Sequence, residues 1–303
     1  MTEHLGNSKL LFKYVSPESG RAVLENFTFR LSQPTLFNDP FDCQVRLRYC
    51  PPFEECVDEL RAEIAGVLSG QIRNFSPNSV ISEKIRWIAR RINTGIAKPD
   101  ALNSFLEGML RQRIASPREF EQEIHEKVTR SLASAKILCL TKTFDSLLMW
   151  SHYASEHRGI VLGVTPRSYD SQFSVARPVE YSDYLPLILT KEEVAKSYTG
   201  QVSLGDYSQV KSILERVIYT KSTHWSYEQE WRMMVGDGFE PEKETEFVKF
   251  SPLDLDCIIL GCRVDDSLCK YCFELRDKRV PHMKLFQAEK AQDRFGLEFR
   301  ECE

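Results

Sequence analysis

Short apolar runs separated by turn residues predict the strands of a sheet in this chain. Ile137–Leu140 and Ile160–Val164 are apolar and short enough to be buried strands. Between them, Asp145 through Glu156 has apolar residues at helical spacing, and Thr143 or Asp145 can serve as its N-cap. The sequence therefore predicts a helix between two buried strands in this region.

The middle of the chain has a different pattern. From about residue 53 to residue 134, apolar residues recur at helical spacing and strand signals are sparse. The sequence thus predicts an α+β fold with a mixed, mostly antiparallel central sheet, flanking helices and a large all-helical insertion. We expect residues 1–52 and 135–303 to form the core domain and residues 53–134 to form the helical insertion.

The composition is that of an ordinary soluble protein. Of the 303 residues 42% are hydrophobic and 28% are charged, and the formal net charge of −4 does not favour nucleic acid as a partner. No apolar run approaches the ~18 residues of a membrane span, and the N-terminus lacks the pattern of a signal peptide. The nine cysteines fit a reducing compartment. We therefore expect a cytoplasmic protein with no membrane partner.

Aromatic and charged side chains alternate in His224–Arg232, which reads His-Trp-Ser-Tyr-Glu-Gln-Glu-Trp-Arg. A carboxylate beside bulky aromatics is partly desolvated, which suits acid or base chemistry, whereas a neighbouring guanidinium holds it ionised. Glu228 and Glu230 are therefore candidate catalytic residues, and Trp225 and Arg232 are candidate ligand-binding residues. The alternative interpretation is aromatic packing at a strand edge, with both carboxylates paired to Arg232 in solvent.

Two further clusters carry candidate chemistry. On the predicted helix, His152 and Tyr153 are candidate catalytic residues because their polar tips need partners if they are buried. Trp150 on the same helix is either a core residue or part of a ligand site. In Leu36–Asp42, small polar side chains lie between two phenylalanines and suit sugar hydroxyls or a metal, although Pro40 also indicates a structural turn. The candidates in this segment are Asn38, Asp39 and Asp42.

Four ordered motifs resemble the bacterial family called domain of unknown function 2971. They are Asn38-Asp39-Pro40-Phe41-Asp42, Trp150-Ser151-His152-Tyr153-Ala154, Trp225-x-Tyr227-Glu228-x-Glu230-Trp231-Arg232 and Ile258-Ile259-Leu260-Gly261. The resemblance covers nearly the whole chain outside the helical insertion. It implies that the three clusters belong to one domain.

In the order of its elements the chain also resembles, more distantly, the ADP-ribosyltransferase fold. Those enzymes use a basic or aromatic polar residue on the first strand, an aromatic residue on a helix after a central strand, and a glutamate at a later strand. Lys13 or Tyr14, then Tyr153, then Glu230 or Glu228 occur in that order. The resemblance implies NAD as substrate, with no metal required. A carboxylate would then bind the ribose hydroxyl and stabilise the positive charge that develops on the ribose.

Two other functions remain open from the sequence. The first is a metal-dependent phosphoesterase or nuclease, with hard ligands for Mg²⁺ or Mn²⁺ and with Glu228 and Glu230 adjacent on one strand face. Its candidate ligands are Asp39, Asp42, His152, Glu228 and Glu230. The second is a non-enzymatic module of a bacterial defence system that binds a nucleotide or a peptide in the same pocket. In that case the helical insertion would contact a protein partner.

Overall fold

The computed structural model describes residues 5, 9–43, 51, 53–72, 80–98, 100–111, 118–168, 170–202, 207–235, 238, 240 and 242–303. The strands are β1 (Leu11–Val15), β2 (Thr28–Ser32), β3 (Lys136–Thr141), β4 (Ile160–Val164), β5 (Arg177–Pro178), β6 (Glu180–Ser182), β7 (Thr220–Ser222), β8 (Glu230–Val235), β9 (Thr245–Lys249), β10 (Leu255–Leu260), β11 (Lys284–Lys290) and β12 (Leu297–Glu301). The helices are α1 (Pro17–Asn26), α2 (Val57–Leu68), α3 (Val80–Asn93), α4 (Asp100–Arg111), α5 (Arg118–Ser134), α6 (Leu147–Tyr153), α7 (Lys191–Thr199), α8 (Tyr207–Ile218) and α9 (Asp266–Arg279).

The chain divides into two compact units. The first comprises Met1–Asp42, Ala133–Asp183 and Tyr219–Glu303, and the second comprises Cys43–Leu132 and Tyr184–Ile218. The helical unit therefore includes the segment Tyr184–Ile218, which the sequence analysis assigned to the core domain.

Packing within the second unit explains this assignment. Ala195 of α7 is fully buried in one cluster with Leu60 and Ile64 of α2 and Ile85 of α3. A capping box starts α7, in which the Thr190 hydroxyl accepts from the backbone of Glu193 and the Glu193 carboxylate accepts from the backbone of Thr190. The apolar face of α7 is thus buried against helices that precede it by more than a hundred residues.

The first unit is built on one large sheet. In the described part of the chain ten strands form this sheet, in the order β12-β11-β10-β4-β1-β3-β2-β9, with β8 paired to β3 and β5. β10 and β11 are parallel, whereas the other pairs in this sheet are antiparallel. Together with the helices, this confirms the predicted α+β fold with a mixed, mostly antiparallel sheet.

Each face of the sheet carries its own apolar cluster. On one face, α1 and α9 cover a cluster that includes Leu24 and Leu268. On the other face, α6 packs Met149 and Trp150 onto Phe12 of β1. Because side chains alternate along a strand, β1 contributes to both clusters.

The sheet is split next to β3. β8 pairs with β3 over all six residues of that strand. On the other edge of β3, the described pairing joins β1 at Phe12↔Thr141 and β2 at Ser32↔Ile137. β1 and β2 therefore diverge from opposite ends of the same strand edge, which opens a cleft between them.

Helix α6 is shorter than the sequence predicted. It begins after Ser146, whose hydroxyl accepts from the backbone of Met149 at 3.4 Å, rather than after Thr143 or Asp145. It ends at Tyr153 because Ser155, Glu156 and His157 adopt left-handed backbone angles, with φ of 46°, 54° and 69°. This turn leads the chain into β4.

Among the described helices, none combines the length and the apolar composition that a membrane-crossing segment requires.

Candidate functional site

A cavity of about 1110 Å³ follows the split between β1 and β2. Its wall is formed by β1, β2, β3, β7, β9, α1 and α6, together with residues that surround the start of β8. Eight of the predicted site residues line it, namely Lys13, Tyr14, Asn38, Asp42, His152, Tyr153, Glu228 and Glu230. The three clusters expected to belong to one domain thus meet at one cleft.

The backbone before β8 brings two glutamates to the same point. Glu230 and Arg232 point to the face of β8 that carries Cys139 of β3, since Cys139 pairs with Arg232. Glu228 ends a 3₁₀ turn, and Gln229 then takes a left-handed conformation with φ of 43°. The expectation that both glutamates lie on one strand face is therefore wrong, because Glu228 precedes the strand. Both nevertheless reach the same cation.

That cation is Lys221 of β7, which the sequence analysis missed. Its Nζ donates to Glu228 Oε2 at 2.6 Å and to Glu230 Oε2 at 2.8 Å. It also lies 3.6 Å from Asp42 Oδ2. Three carboxylates, two from the Glu228–Glu230 segment and one from Asp42, thus converge on one ammonium group.

Arg232 completes this group with two bidentate contacts. Its Nε and Nη2 donate to the carboxylate of Glu230 at 2.7 and 3.0 Å. Its Nη1 and Nη2 donate to the carboxylate of Asp42 at 3.0 and 2.6 Å. We call these five residues, Asp42, Lys221, Glu228, Glu230 and Arg232, the charge network. Each of its side chains is at most 5% exposed, and its three carboxylates outnumber its two cations by one.

The Asn38–Asp42 turn positions the carboxylate of Asp42. Asp39 Oδ1 accepts from the backbone of Phe41 at 2.9 Å, and its carbonyl accepts from the backbone of Asp42 at 3.1 Å. The side chain of Asp39 therefore serves the turn, whereas Asp42 reaches Arg232. The interpretation as a structural turn thus accounts for Asp39. Asp42 instead accepts from Arg232, and Asn38 donates to Tyr153 at the cleft.

Tyr153 connects the charge network to the open part of the cleft. Its hydroxyl donates to Glu228 Oε1 at 2.7 Å and accepts from Asn38 Nδ2 at 3.4 Å. Burial and the negative charge of Glu228 raise the pKa of Tyr153. The hydroxyl therefore stays protonated and acts as a donor to Glu228. His152 is exposed beside it, with ring centroids 6.2 Å apart.

Electrostatics keep the deeper part of the charge network ionised. Burial alone would raise the pKa of Glu230, but the adjacent Arg232 and Lys221 bring it to about 2. Burial would lower the pKa of Lys221, but the carboxylates of Glu230, Glu228 and Asp42 raise it above its ordinary value. Glu230 and Lys221 are therefore both charged at neutral pH.

Three other predicted ligand-binding residues, Trp150, Trp225 and Arg232, are not part of the cavity lining. Trp150 is fully buried in the core, where its Nε1 donates to the carbonyl of Phe144 at 2.9 Å. The Trp225 ring centroid lies 5.0 Å from the Nζ of Lys221. Arg232 is fully buried within the charge network. Asp39, the fourth, is occupied by its turn.

Two other residues support the network without having been predicted. The hydroxyl of Tyr181 accepts from the backbone N–H of Glu230 at 2.8 Å. The hydroxyl of Thr141 donates to the backbone carbonyl of Glu228. Tyr181, Thr141 and Lys221 all lie outside the sequence motifs. Their roles depend on strand pairing, which their local sequence does not reveal.

The metal ligands considered for a hydrolase do not assemble into a cation site. Among the described residues, no group of three or more His, Cys, Asp or Glu side chains is placed to hold a metal ion. The carboxylates of Asp42, Glu228 and Glu230 face Lys221 and Arg232 instead. These three carboxylates are therefore engaged by cations of the chain itself.

Comparison with known families identifies part of this site. Residues 149–233 match the family described as Protein of unknown function (DUF2971). The match confirms the resemblance over these residues, which contain the Trp150–Ala154 and Trp225–Arg232 motifs, whereas the Asn38–Asp42 and Ile258–Gly261 motifs lie outside it. The DUF2971 segment supplies Tyr153, Lys221, Glu228, Glu230 and Arg232, whereas Asp42 comes from outside it. No curated protein and no solved structure matches the chain.

Proposed function

We propose that this protein is a nucleotide-binding enzyme that uses NAD in an ADP-ribosyltransferase-like reaction, with the split-sheet cleft as its NAD site. One observation carries the proposal. A cleft of about 1110 Å³ is bordered by a buried network whose carboxylates outnumber its cations, and one of those carboxylates is hydrogen-bonded to a tyrosine at the cleft. Such a cleft is large enough for a dinucleotide.

The chemistry suits this arrangement. In the proposed step the glycosidic bond between the ribose C1′ and the nicotinamide nitrogen breaks, and its electron pair leaves with nicotinamide. The ribose then carries positive charge until an acceptor oxygen, nitrogen or water attacks C1′ and loses its proton. A preorganised excess of carboxylate stabilises this positive charge in a site of low dielectric.

Glu228 is the residue that we assign to contact with the ribose. Its two oxygens accept one bond each, from Tyr153 and Lys221, whereas those of Glu230 accept three. Because an ionised carboxylate offers about four lone-pair sites, Glu228 retains more capacity to accept from ribose hydroxyls. Glu230 then acts as a positioning residue through Lys221.

The test is release of nicotinamide from NAD by the full chain. We expect Glu228→Gln to lower turnover about 10²–10³-fold while the protein still folds, because the developing charge loses its carboxylate. Glu298→Gln, at a half-exposed position on β12, is the matched control and should leave turnover unchanged. Equal turnover by the wild type and Glu228→Gln would contradict the proposal.

A chelator separates this reaction from the hydrolase considered above. NAD turnover by the proposed mechanism should persist in EDTA, since the carboxylates act without a metal. If NAD raises the thermal unfolding temperature but no nicotinamide is released, the cleft belongs to a non-enzymatic nucleotide-binding module.

A further inference from the structure

The far end of the cleft carries an exposed aromatic ring between two cations. Phe247 lies on β9, the last strand of the main sheet path, and its side chain is 67% exposed although it lines the cleft. Arg30 of β2 is its direct cross-strand partner, and Lys249 follows it two residues later on the same face. Both of these cations also line the cleft.

These three side chains share a sheet face with the charge network. Ser32 pairs with Ile137, and Cys139 on the same face of β3 pairs with Arg232. Arg30, two residues before Ser32, therefore points to the side that Arg232 and Glu230 occupy. From β8 through β3 and β2 to β9 there are three strand spacings, about 14 Å where the strands are paired, and the divergence of β2 from β3 beyond Ser32↔Ile137 widens this separation at Arg30.

The charges that line the cleft are distributed unevenly, with acidic residues in excess at the charge network and basic residues in excess elsewhere. Lys221, Asp42, Glu228 and Glu230 line the cleft, and with Arg232 behind them the charge network has three carboxylates against two cations, an excess of one negative charge. The other described charged residues in the lining, with histidine counted as neutral, are Lys13, Arg30, Lys249 and Glu25, three cations against one carboxylate. A ligand with a cationic end and an anionic middle would bind in one orientation in such a cleft.

We propose that Arg30, Phe247 and Lys249, which we call the β9 subsite, bind the adenosine diphosphate half of the substrate. The base stacks on the Phe247 ring, and the two cations face the diphosphate. This inference rests on the proposed function. It deepens that function because NAD has a cationic nicotinamide ring, which suits the acidic end, and an anionic diphosphate, which the acidic end repels.

The experiment measures dissociation constants of the full chain for two fragments, ADP and nicotinamide mononucleotide. Phe247→Ala should weaken ADP binding about five- to a hundredfold, because it removes one stacked base. Arg30→Gln with Lys249→Gln should weaken it about tenfold or more, and less so at high salt. Binding of nicotinamide mononucleotide should change less than about twofold in Phe247→Ala, because this fragment has no adenine and the cations that meet its phosphate remain.

Matched controls separate stacking and charge from general surface effects. Phe247→Trp keeps a stacking face and should retain ADP binding. Phe295→Ala removes a fully exposed aromatic ring in the turn between β11 and β12, and Lys270→Gln removes an exposed cation on α9. Neither should alter ADP binding.

The outcomes distinguish this inference from the proposed reaction. If the wild type releases nicotinamide but Phe247→Ala binds ADP like the wild type, the β9 subsite is overturned and the reaction stands. If Phe247→Ala weakens ADP binding but no nicotinamide is released, the subsite stands and the reaction is overturned. If the wild type binds neither ADP nor NAD, both are overturned.

Discussion

Acidic side chains are buried at two places beside the main sheet, and their partners differ between the two places. Asp254, just before β10, accepts from two residues of the loop after β4, the backbone of Arg167 at 3.0 Å and the hydroxyl of Ser171 at 2.8 Å. Arg167 also pairs with the buried Asp256. In the charge network, by contrast, carboxylates face Lys221 and Arg232, which are themselves at most 5% exposed.

The difference shows what burial of a carboxylate means in each place. Asp254 and Asp256 fasten a nearby loop to β10, and Arg167 remains 50% exposed so that solvent screens its charge. The charge network places both signs out of water and adjoins a cleft. Pairing by itself therefore does not distinguish the two clusters, whereas the opening of the charge network onto a cavity does.

The largest expected effect comes from removing Arg232. Arg232→Leu would leave the carboxylates of Asp42 and Glu230 buried without their bidentate partner. We expect a loss of about 3–5 kcal/mol in the free energy of unfolding, measured by denaturant titration. Arg232→Lys keeps the positive charge but loses the bidentate geometry of the guanidinium. Its free energy of unfolding should therefore lie between those of the wild type and Arg232→Leu. A loss no larger than that of Arg167→Leu would contradict the distinction between the two clusters.

The second prediction concerns acid stability. The pKa of Glu230 is about 2 in the folded protein, against an ordinary value of 4.5. Because the folded pKa is lowered, the contribution of Glu230 is complete above pH 4.5 and is lost as the pH falls towards 2. Its size is on the order of 3 kcal/mol. Glu230→Gln should therefore flatten the decline in unfolding free energy between pH 4.5 and pH 2. A decline parallel to that of the wild type would contradict the lowered pKa.

The core strands could be predicted from the sequence because apolar patterning is a local property. Ile160–Val164 is a strand as predicted, and all of its residues are buried. The end of α6 could not be predicted, since nothing in Ser155, Glu156 and His157 signals three left-handed residues. Likewise, the place of Tyr184–Ile218 depends on how α7 packs against helices distant in the sequence.

The site was predictable only as far as its motifs reach. The motifs Trp150–Ala154 and Trp225–Arg232 contain Tyr153, Glu228 and Glu230, and these three side chains line the cleft. The sequence left open whether Arg232 holds a neighbouring carboxylate in its ionised form. In the structure Arg232 lowers the pKa of Glu230 and so favours its ionised form. Lys221 could not be found, because its role follows from carboxylates on elements that come together only in the folded sheet.

A smaller effect separates the two tyrosines that contact the charge network, Tyr153 and Tyr181. Tyr153→Phe removes a donor to Glu228, and Tyr181→Phe removes an acceptor for the backbone of Glu230. Each should lower the unfolding free energy by about 1 kcal/mol. Tyr153 lines the cleft, so Tyr153→Phe should also weaken binding of nicotinamide mononucleotide, whereas Tyr181→Phe should not. Equal binding by both variants would show that Tyr153 is only structural.

The smallest expected effect on the free energy of unfolding concerns Arg167, which contacts Asp254 and Asp256. Arg167→Leu removes a side chain that is 50% exposed, and its ion pair with Asp256 is screened by solvent. The backbone N–H of residue 167 remains and still donates to Asp254, so the loop keeps its main attachment. We expect a change of about 0–1 kcal/mol in the free energy of unfolding, with ADP and nicotinamide mononucleotide bound as in the wild type. A loss as large as that of Arg232→Leu would mean that Asp256 depends on its cation as strongly as Glu230 does, despite the access of water to Arg167.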